Sequence, residues 1–298
     1  MRVVLDLLAG TLIQGFIYAL IAFGIYITYK ILDFPDLSVD GSFPLGAAVT
    51  AVLLTRGMSP WLTLPIALLI GALAGLCTGL IHVKAGVRDL LSGIITMTAL
   101  FSINLQVAGS NLTVPRQVNT IFNSRLVMAV LGRMPLLYRK LIVALVVMLI
   151  FKLVLDAFFR TKTGLLLRAA GDNDTLVTTL AVDKGRLKIL GLMIANALVA
   201  LSGCLVCHEQ RSFSATMGTG QMVFGLAAVI IGTTLFRRSG KVLGTTAAIV
   251  GSVLYKVVIQ VAITLGLPAN LLKLVTAVLF LVILLLGSAK GKGAAGHA

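Results

Sequence analysis

Apolar runs of about 20 residues recur along most of this chain and constrain its fold more than any other feature. A helix of that length crosses the hydrocarbon core of a bilayer, which is about 30 Å thick. Of the 298 residues, 58% are hydrophobic and 12% are charged. We therefore predict an all-α, polytopic membrane protein with about nine transmembrane or partial helices. The first run, residues 4–31, is too long for a cleaved signal peptide and is expected to remain a span.

The predicted spans divide the chain into two halves joined by one span. Their approximate bounds are 6–30, 42–56, 61–82, 89–109, 136–158, 187–208, 218–236, 242–266 and 268–287. We interpret residues 1–298 as one transmembrane domain. It comprises a first half at 1–135, a linking span at 136–158, a cytoplasmic loop at 159–188, a second half at 189–287 and a flexible tail at 288–298.

The polar segment 160–188 carries a dense group of basic residues between predicted spans. They are Arg160, Lys162, Arg168, Lys184, Arg186 and Lys188. Lysine and arginine beside spans mark the cytoplasmic side, so nine crossings would put the N-terminus outside. The bias is weak, because the loop 110–140 then carries five basic residues on the outer side. We attribute the net charge of +15 to topology signals and lipid contacts rather than to nucleic-acid binding.

A short amphipathic helix is predicted within this cytoplasmic segment. Asp172 and Asp174 can cap its start, while Leu176, Val177 and Leu180 fall on one face. Because the apolar face is small, we expect it to dock onto another protein; a helix lying on lipid headgroups is the alternative. The residues assigned to this contact are Arg168, Gly171, Asp172, Asn173, Asp174, Leu176, Val177 and Leu180.

The second predicted span follows an interruption at residues 32–44, which holds three carboxylates, two prolines and a glycine. Non-helical backbone at membrane depth is tolerated only where protein or a water-filled cavity covers it. We therefore assign Asp36, Ser38, Asp40 and Ser42 to a substrate path, with a plain solvated turn as the alternative. A second interruption at 209–220 also precedes a short span. This arrangement suggests two repeats of opposite orientation.

Lys256 lies near the centre of the predicted eighth span, with Gln260 one turn away on the same face. A lysine at that depth costs about 2.5–3.5 kcal/mol, so it is expected to face the bundle interior and to have a partner. Two interpretations remain open. Lys256 is either buried at a helix contact or, with Gln260, part of the substrate path, where it would pair with Asp36 or Asp40.

Three segments carry a resemblance to a known family. They are Asp36-Leu37-Ser38-Val39, Arg168-Ala169-Ala170-Gly171-Asp172-Asn173-Asp174, and Ala227-Ala228-Val229-Ile230-Ile231-Gly232-Thr233-Thr234 followed by Gly240-Lys241. In their order and spacing they resemble the permease subunits of bacterial ATP-binding-cassette importers for branched-chain amino acids, ribose and related sugars. The chain departs from that family at Thr233-Thr234, where a more glycine-rich turn is usual.

The resemblance implies a homodimeric permease in the bacterial cell (inner) membrane. Its partners would be two ATP-binding subunits and an external solute-binding protein, periplasmic or lipid-anchored. The transported solute would be small, an amino acid being the first choice, and this chain would hold no catalytic residue, metal or cofactor. A P-loop of the form G-x-x-x-x-G-K-[ST] is absent from the sequence, so ATP is expected to bind to the partner subunit. A secondary transporter with its own ion coupling is the alternative.

The segment Cys204-Leu205-Val206-Cys207-His208 has the spacing of a C-x-x-C-H haem attachment signature. It continues an apolar span, and no soluble-domain sequence surrounds it that could build a haem pocket. We therefore interpret these cysteines as small packing residues.

Overall fold

A computed structural model describes residues 2–172, 183–236 and 243–267, together with 271, 274–278 and 281. Ten α-helices have bounds within these residues. They are α1 (Arg2–Ile25), α2 (Val39–Thr55), α3 (Pro60–Val83), α4 (Asp89–Ala108), α5 (Arg125–Leu131), α6 (Leu136–Phe158), α7 (Lys162–Asp172), α8 (Lys184–Gln210), α9 (Gln221–Leu235) and α10 (Gly244–Thr264). A π-helical turn, Tyr26–Ile31, continues α1.

Seven helical segments are long and apolar enough to cross a membrane, and α2 is a shorter apolar helix. The seven are Leu5–Ile31, Pro60–Val83, Asp89–Ala108, Leu136–Phe158, Lys184–Gln210, Ala215–Leu235 and Gly244–Thr264. Together they confirm a polytopic, all-α membrane protein, and each overlaps a predicted span. The predicted ninth span, 268–287, lies largely outside the described residues, although residues 274–278 are helical.

Helix α8 occupies the centre of the bundle, where it packs against α1, α2 and α3. Close packing there depends on glycine, because side chains at three positions would collide with the α8 backbone. A Cβ at Gly46 would overlap the carbonyl oxygen of Ala200, and one at Gly75 would overlap that of Leu192. Gly71 meets Asn196 in the same way. These glycines serve helix packing, as small residues do in other membrane bundles.

Contacts between helix ends separate the two faces of the bundle. At one end, β1 (Asn111–Thr113) pairs antiparallel with β2 (Ser212–Ser214), and Lys140 forms a 2.9 Å ion pair with Glu209. At the opposite ends of α3 and α8, Lys188 Nζ lies 3.2 Å from His82 Nε2. The helix ends that meet on each face are the ones that the order of the predicted spans places on the same side of the membrane. Which face is cytoplasmic stays a prediction from the charge pattern.

The polar segment between α6 and α8 differs from the sequence prediction. Helix α7 begins at Lys162, and Asp172 is its last described residue. Asp172 therefore lies at the end of a described helix, and the helix that it was predicted to start lies outside the described residues. The other residues assigned to the amphipathic helix lie outside the described residues: Asn173, Asp174, Leu176, Val177 and Leu180.

Candidate functional site

The starts of two short helices, α2 and α9, lie next to each other inside the bundle. Helix α2 follows the non-helical residues 32–38, where Asp33 has a φ of 50°, and α9 follows Gly220, with a φ of 88°. A helix start leaves backbone amides without intrahelical acceptors, and buried amides need partners. The carboxylates of Asp36 and Asp40, from the interruption at residues 32–44, supply hydrogen-bond acceptors at the starts of both helices.

Asp36 anchors the start of α2 to the middle of α8. Its Oδ1 accepts a 2.9 Å hydrogen bond from the Ser38 amide, and its Oδ2 accepts one of 2.8 Å from Asn196 Nδ2. Asn196 Oδ1 in turn accepts from the hydroxyls of Ser38, at 3.1 Å, and Ser42, at 2.6 Å. All four side chains are buried. We call this group, Asp36, Ser38, Ser42 and Asn196, the Asp36 clasp.

Asp40 caps the start of α9, although it belongs to the first turn of α2. Its Oδ2 accepts from the Gly220 amide at 2.9 Å and its Oδ1 from the Met222 amide at 2.8 Å. A carboxylate at this position also interacts favourably with the positive end of the helix dipole. Asp40, from the interruption at residues 32–44, therefore fixes the start of α9, the helix that follows the interruption at residues 209–220.

A cavity of about 350 Å³ lies beside this junction, between α2, α4 and the turn Ala215–Gly218. We call it the Asp40 cavity. It is lined by Asp40, Gly41, Pro44, Met97, Thr98, Phe101, Asn104, Ala215 and Thr219. Its size falls in the range of small-molecule sites, about 300–1,000 Å³.

Asn104 is fully buried in the wall of the Asp40 cavity, on helix α4. Its Nδ2 donates a 3.1 Å hydrogen bond to the Gly41 carbonyl oxygen. Its Oδ1 is buried and has no hydrogen-bond partner among the described residues. Because buried polar atoms are usually paired, this oxygen stands out as an unpaired acceptor on a residue of the cavity wall.

Lys256 and Gln260 belong to α10 and do not line the Asp40 cavity. The Lys256 Nζ is 3.3 Å from the ring centroid of Tyr18 and 5.2 Å from that of Phe224. The suggested pairing with Asp36 or Asp40 is not present, since both carboxylates are bonded as described above. Aromatic faces attract a cation, so this contact fits the interpretation of a lysine buried at a helix contact. Gln260 lines a different cavity, beside Glu209 and Lys140.

Helix α7 lies directly beneath the first interruption. A Cβ on Gly171 would overlap the carbonyl oxygen of Ile31, and the Arg168 guanidinium lies 4.7 Å from the centre of the Phe159 ring. Leu167 is buried and approaches Gly191 of α8 beside Leu32. The described part of the predicted docking segment therefore contacts the residues that lead into the Asp36 clasp.

The residues of the haem-like spacing are engaged in packing. His208 Nδ1 accepts from the Ile121 amide at 3.4 Å, so Nε2 carries the hydrogen and donates to Thr63 Oγ1 at 2.8 Å. Cys204 and Cys207 are buried. Neither imidazole nitrogen is free to bind an iron atom in this arrangement.

Sequence reasoning found Asp36, Ser38, Asp40 and Ser42 but missed Asn196 and Asn104, which complete their surroundings. Both asparagines lie within apolar helices, where an amide side chain is costly unless it is hydrogen-bonded. That isolation in an apolar run was the available signal, and it applies to Asn196 and Asn104 alike.

The sequence is similar to those of known transport proteins. A family model described as "Branched-chain amino acid transport system / permease component" matches residues 7–284. A tyrosine transport system permease protein of Clostridioides difficile is 40% identical over 275 residues, which cover 92% of this chain and 89% of that protein. No solved structure gives a significant match.

Two further relatives are more distant. A probable branched-chain amino acid transport permease protein of Methanocaldococcus jannaschii is 27% identical over 76% of this chain and 73% of its own. A ribose import permease protein of Haemophilus influenzae is 28% identical over 80% of this chain and 73% of its own.

Proposed function

The chain belongs to the family of branched-chain amino acid transport system permease components, and we propose that it imports an amino acid with an aromatic side chain, such as tyrosine. As a permease component of an ATP-binding-cassette system, it is a transport protein and not an enzyme. The observation that carries the choice of solute is the 40% identity, over 92% of the chain, to a tyrosine transport system permease protein. The ribose and branched-chain relatives are 28% identical or less.

Such a permease works with ATP-binding and solute-binding partners. We propose that two copies of this chain assemble with two ATP-binding subunits in the bacterial cell (inner) membrane, with no cofactor in the permease itself. Helix α4 supports a homodimer, because Thr98, Ser102 and Gln106 follow one another at four-residue spacing on its exposed side. Lipid does not satisfy such a polar stripe, whereas a second copy or the solute path between two copies does.

The exposed sides of α3 and α6 provide the comparison. They present aliphatic side chains, including Leu62, Leu69 and Leu73 on α3 and Leu149 and Leu153 on α6. These surfaces suit contact with lipid tails. Helix α4 also exposes apolar side chains, including Ile95, Phe101 and Ile103, and its polar stripe of Thr98, Ser102 and Gln106 lies among them. This stripe supports the assignment of α4 to the subunit interface.

The loop between α4 and α6 supports docking of the solute-binding partner. Residues 110–140, which extend into the first turn of α6, contain five basic residues and no aspartate or glutamate: Arg116, Arg125, Arg133, Arg139 and Lys140. Lys140 is paired with Glu209, and the other four carry the positive charge of this surface. We assign this loop to the outer face. A partner with acidic side chains would be attracted to it, and the attraction would weaken with salt.

The mechanism we propose is alternating access driven from the cytoplasmic face. The segment 168–180 would bind the ATP-binding subunit, and movement of that subunit would shift α7. Gly171 would pass the movement to Ile31, since the two backbones touch without an intervening side chain. Displacement of residues 32–38 would then open or close the Asp36 clasp and so move α2. A ligand-driven change of this kind requires two states with different affinity for the partner.

The test is uptake in proteoliposomes that contain the permease, its ATP-binding subunits and the solute-binding protein. We expect labelled tyrosine to accumulate only when all three are present and ATP is supplied. The control replaces the ATPase lysine of the partner's P-loop and should abolish accumulation. Uptake by the permease alone, driven by a proton or sodium gradient, would overturn the proposal.

A further inference from the structure

The walls of the Asp40 cavity are rich in hydrogen-bond acceptors. The carboxylate of Asp40 and the Oδ1 of Asn104 are both part of the lining residues. Thr98 donates its hydroxyl hydrogen to the Ile94 carbonyl at 2.8 Å, which leaves the lone pairs of its oxygen available. Pro44 has no amide hydrogen, so the Asp40 carbonyl oxygen receives no helical hydrogen bond from it. The cavity thus offers acceptors from three different residues.

Cationic groups do not balance this set of acceptors. No lysine, arginine or histidine is among the residues that line the cavity. The backbone donors at the start of α9 are already taken by Asp40, through the amides of Gly220 and Met222. A ligand that places hydrogen-bond donors and a positive charge next to Asp40 would therefore complement the site. A carboxylate next to Asp40 would be repelled, so the carboxylate of an amino acid would have to point away from Asp40.

We propose that the Asp40 cavity binds the protonated amino group of the transported solute, with Asp40 and Asn104 as the acceptors. This inference rests on the proposed function and adds the residues that recognise the solute. Asn104 is the residue that the structure leaves incomplete, because its Oδ1 is buried and unpaired among the described residues. An ammonium group supplies three donors, enough for Asn104 and a free lone pair of Asp40.

The rest of the lining suits the apolar part of an aromatic amino acid. Phe101, Met97 and Pro44 contribute apolar surface to the same cavity. Phe101 can stack against an aromatic ring or lie against a cation, and methionine adapts its shape to the group beside it. Thr98 lies at the junction of the cavity and the polar stripe on α4, so a solute can enter from the proposed interface between two copies.

Protection of an introduced thiol tests the proposal in the complex of the permease with its ATP-binding subunits. Thr98→Cys is made in a protein whose native Cys77, Cys204 and Cys207 are replaced by alanine, and its labelling by a water-soluble maleimide is timed. At a solute concentration about four times the dissociation constant, bound solute should slow labelling about fivefold. Thr55→Cys is the control, since Thr55 is exposed at the C-terminal end of α2 and does not line the cavity.

Three probes identify the group that is bound. Tyrosine and tyramine, which carry an amine, should protect Thr98→Cys, while 3-(4-hydroxyphenyl)propionate, which lacks one, should not. Asn104→Leu should weaken protection about tenfold or more, because it removes an acceptor for a charged donor. Thr96→Ala should leave protection unchanged, since Thr96 is buried on the same helix, does not line the cavity and donates its hydroxyl hydrogen to the Ser92 carbonyl.

The outcomes separate this inference from the proposed function. If the complete transporter accumulates tyrosine but none of the probes protects Thr98→Cys, the cavity is not the solute site and the inference fails alone. Equal protection by the propionate and by tyramine would overturn recognition of the amino group. A complete transporter that accumulates no amino acid would overturn the proposed function and this inference with it.

Discussion

Asp36 and Asn196 are 160 residues apart in the chain, yet a 2.8 Å hydrogen bond joins them inside the bundle. The bond connects the non-helical entry of α2 to the middle of α8, the helix around which α1, α2 and α3 pack. Asn196 also accepts from Ser38 and Ser42. A single amide side chain therefore satisfies one carboxylate and two hydroxyls that have no access to water.

Replacing Asn196 by leucine should destabilise the permease strongly. Asn196→Leu removes a donor from a buried carboxylate and the acceptor of two buried hydroxyls, and we expect a loss of about 3 kcal/mol or more. Thermal unfolding in detergent, followed by loss of soluble monodisperse protein, measures the effect. Ser252→Ala is the control, because it removes one neutral hydrogen bond to the Gly15 carbonyl and should cost only about 1 kcal/mol. Equal Tm changes for the two variants would contradict the importance of the Asp36 clasp.

Adding a methyl group to Gly171 should impair transport more than folding. The methyl group of Gly171→Ala would overlap the Ile31 carbonyl oxygen, so α7 must move away from the first interruption. We expect ATP hydrolysis to continue while solute uptake per ATP falls several-fold. Gly10→Ala is the control, since a Cβ there meets no atom within 4 Å. The proposed route from α7 to α2 is wrong if both variants transport at the rate of the unmodified protein with the same ATP consumption.

Cysteines placed at Ser38 and Ser42 should resist water-soluble thiol reagents in the nucleotide-free complex. Both positions have no exposed surface, and their hydroxyls face Asn196. Thr55→Cys, at the exposed C-terminal end of α2, should react readily under the same conditions. If ATP binding opens the Asp36 clasp, labelling at residue 42 should rise when a non-hydrolysable ATP analogue is added. Labelling of both buried positions as fast as that of residue 55 without nucleotide would contradict the structure.

Removing the charge of Lys256 should have a modest effect. Lys256→Met keeps most of the side-chain volume and loses a cation–π contact worth about 0.5–2 kcal/mol. We therefore expect a small fall in Tm and uptake within about threefold of the unmodified rate. Lys256→Glu should fold poorly, because a carboxylate would face the negative surfaces of the Tyr18 and Phe224 rings. A loss of uptake greater than tenfold in a stably folded Lys256→Met protein would instead assign the lysine to the transport pathway.

Local patterns were sufficient for some features of the site and insufficient for others. The carboxylates, prolines and glycine of residues 32–44 predicted an interruption before α2, and residues 32–38 are indeed non-helical. The interruption is shorter than predicted, because α2 begins at Val39 and contains Gly41 and Pro44. The same pattern could not reveal that Asp40 caps α9, since Asp40 and its two hydrogen-bond donors are separated by 180 and 182 positions in the chain. The pattern also did not reveal helix α7, Lys162–Asp172, which precedes the segment where a helix was predicted.

The sequence by itself determined that this chain is a bundle of membrane-spanning helices and where most of them lie. That outcome depends only on local composition, because a run of about 20 apolar residues in a bilayer must satisfy its backbone within its own helix. The tertiary structure decided which polar groups meet. Asp36 bonds to Asn196, Asp40 bonds to amides of α9, and Lys256 contacts two aromatic rings. Each of these pairs joins residues that are distant in sequence, so its distance is set by helix packing and by close contacts at glycines.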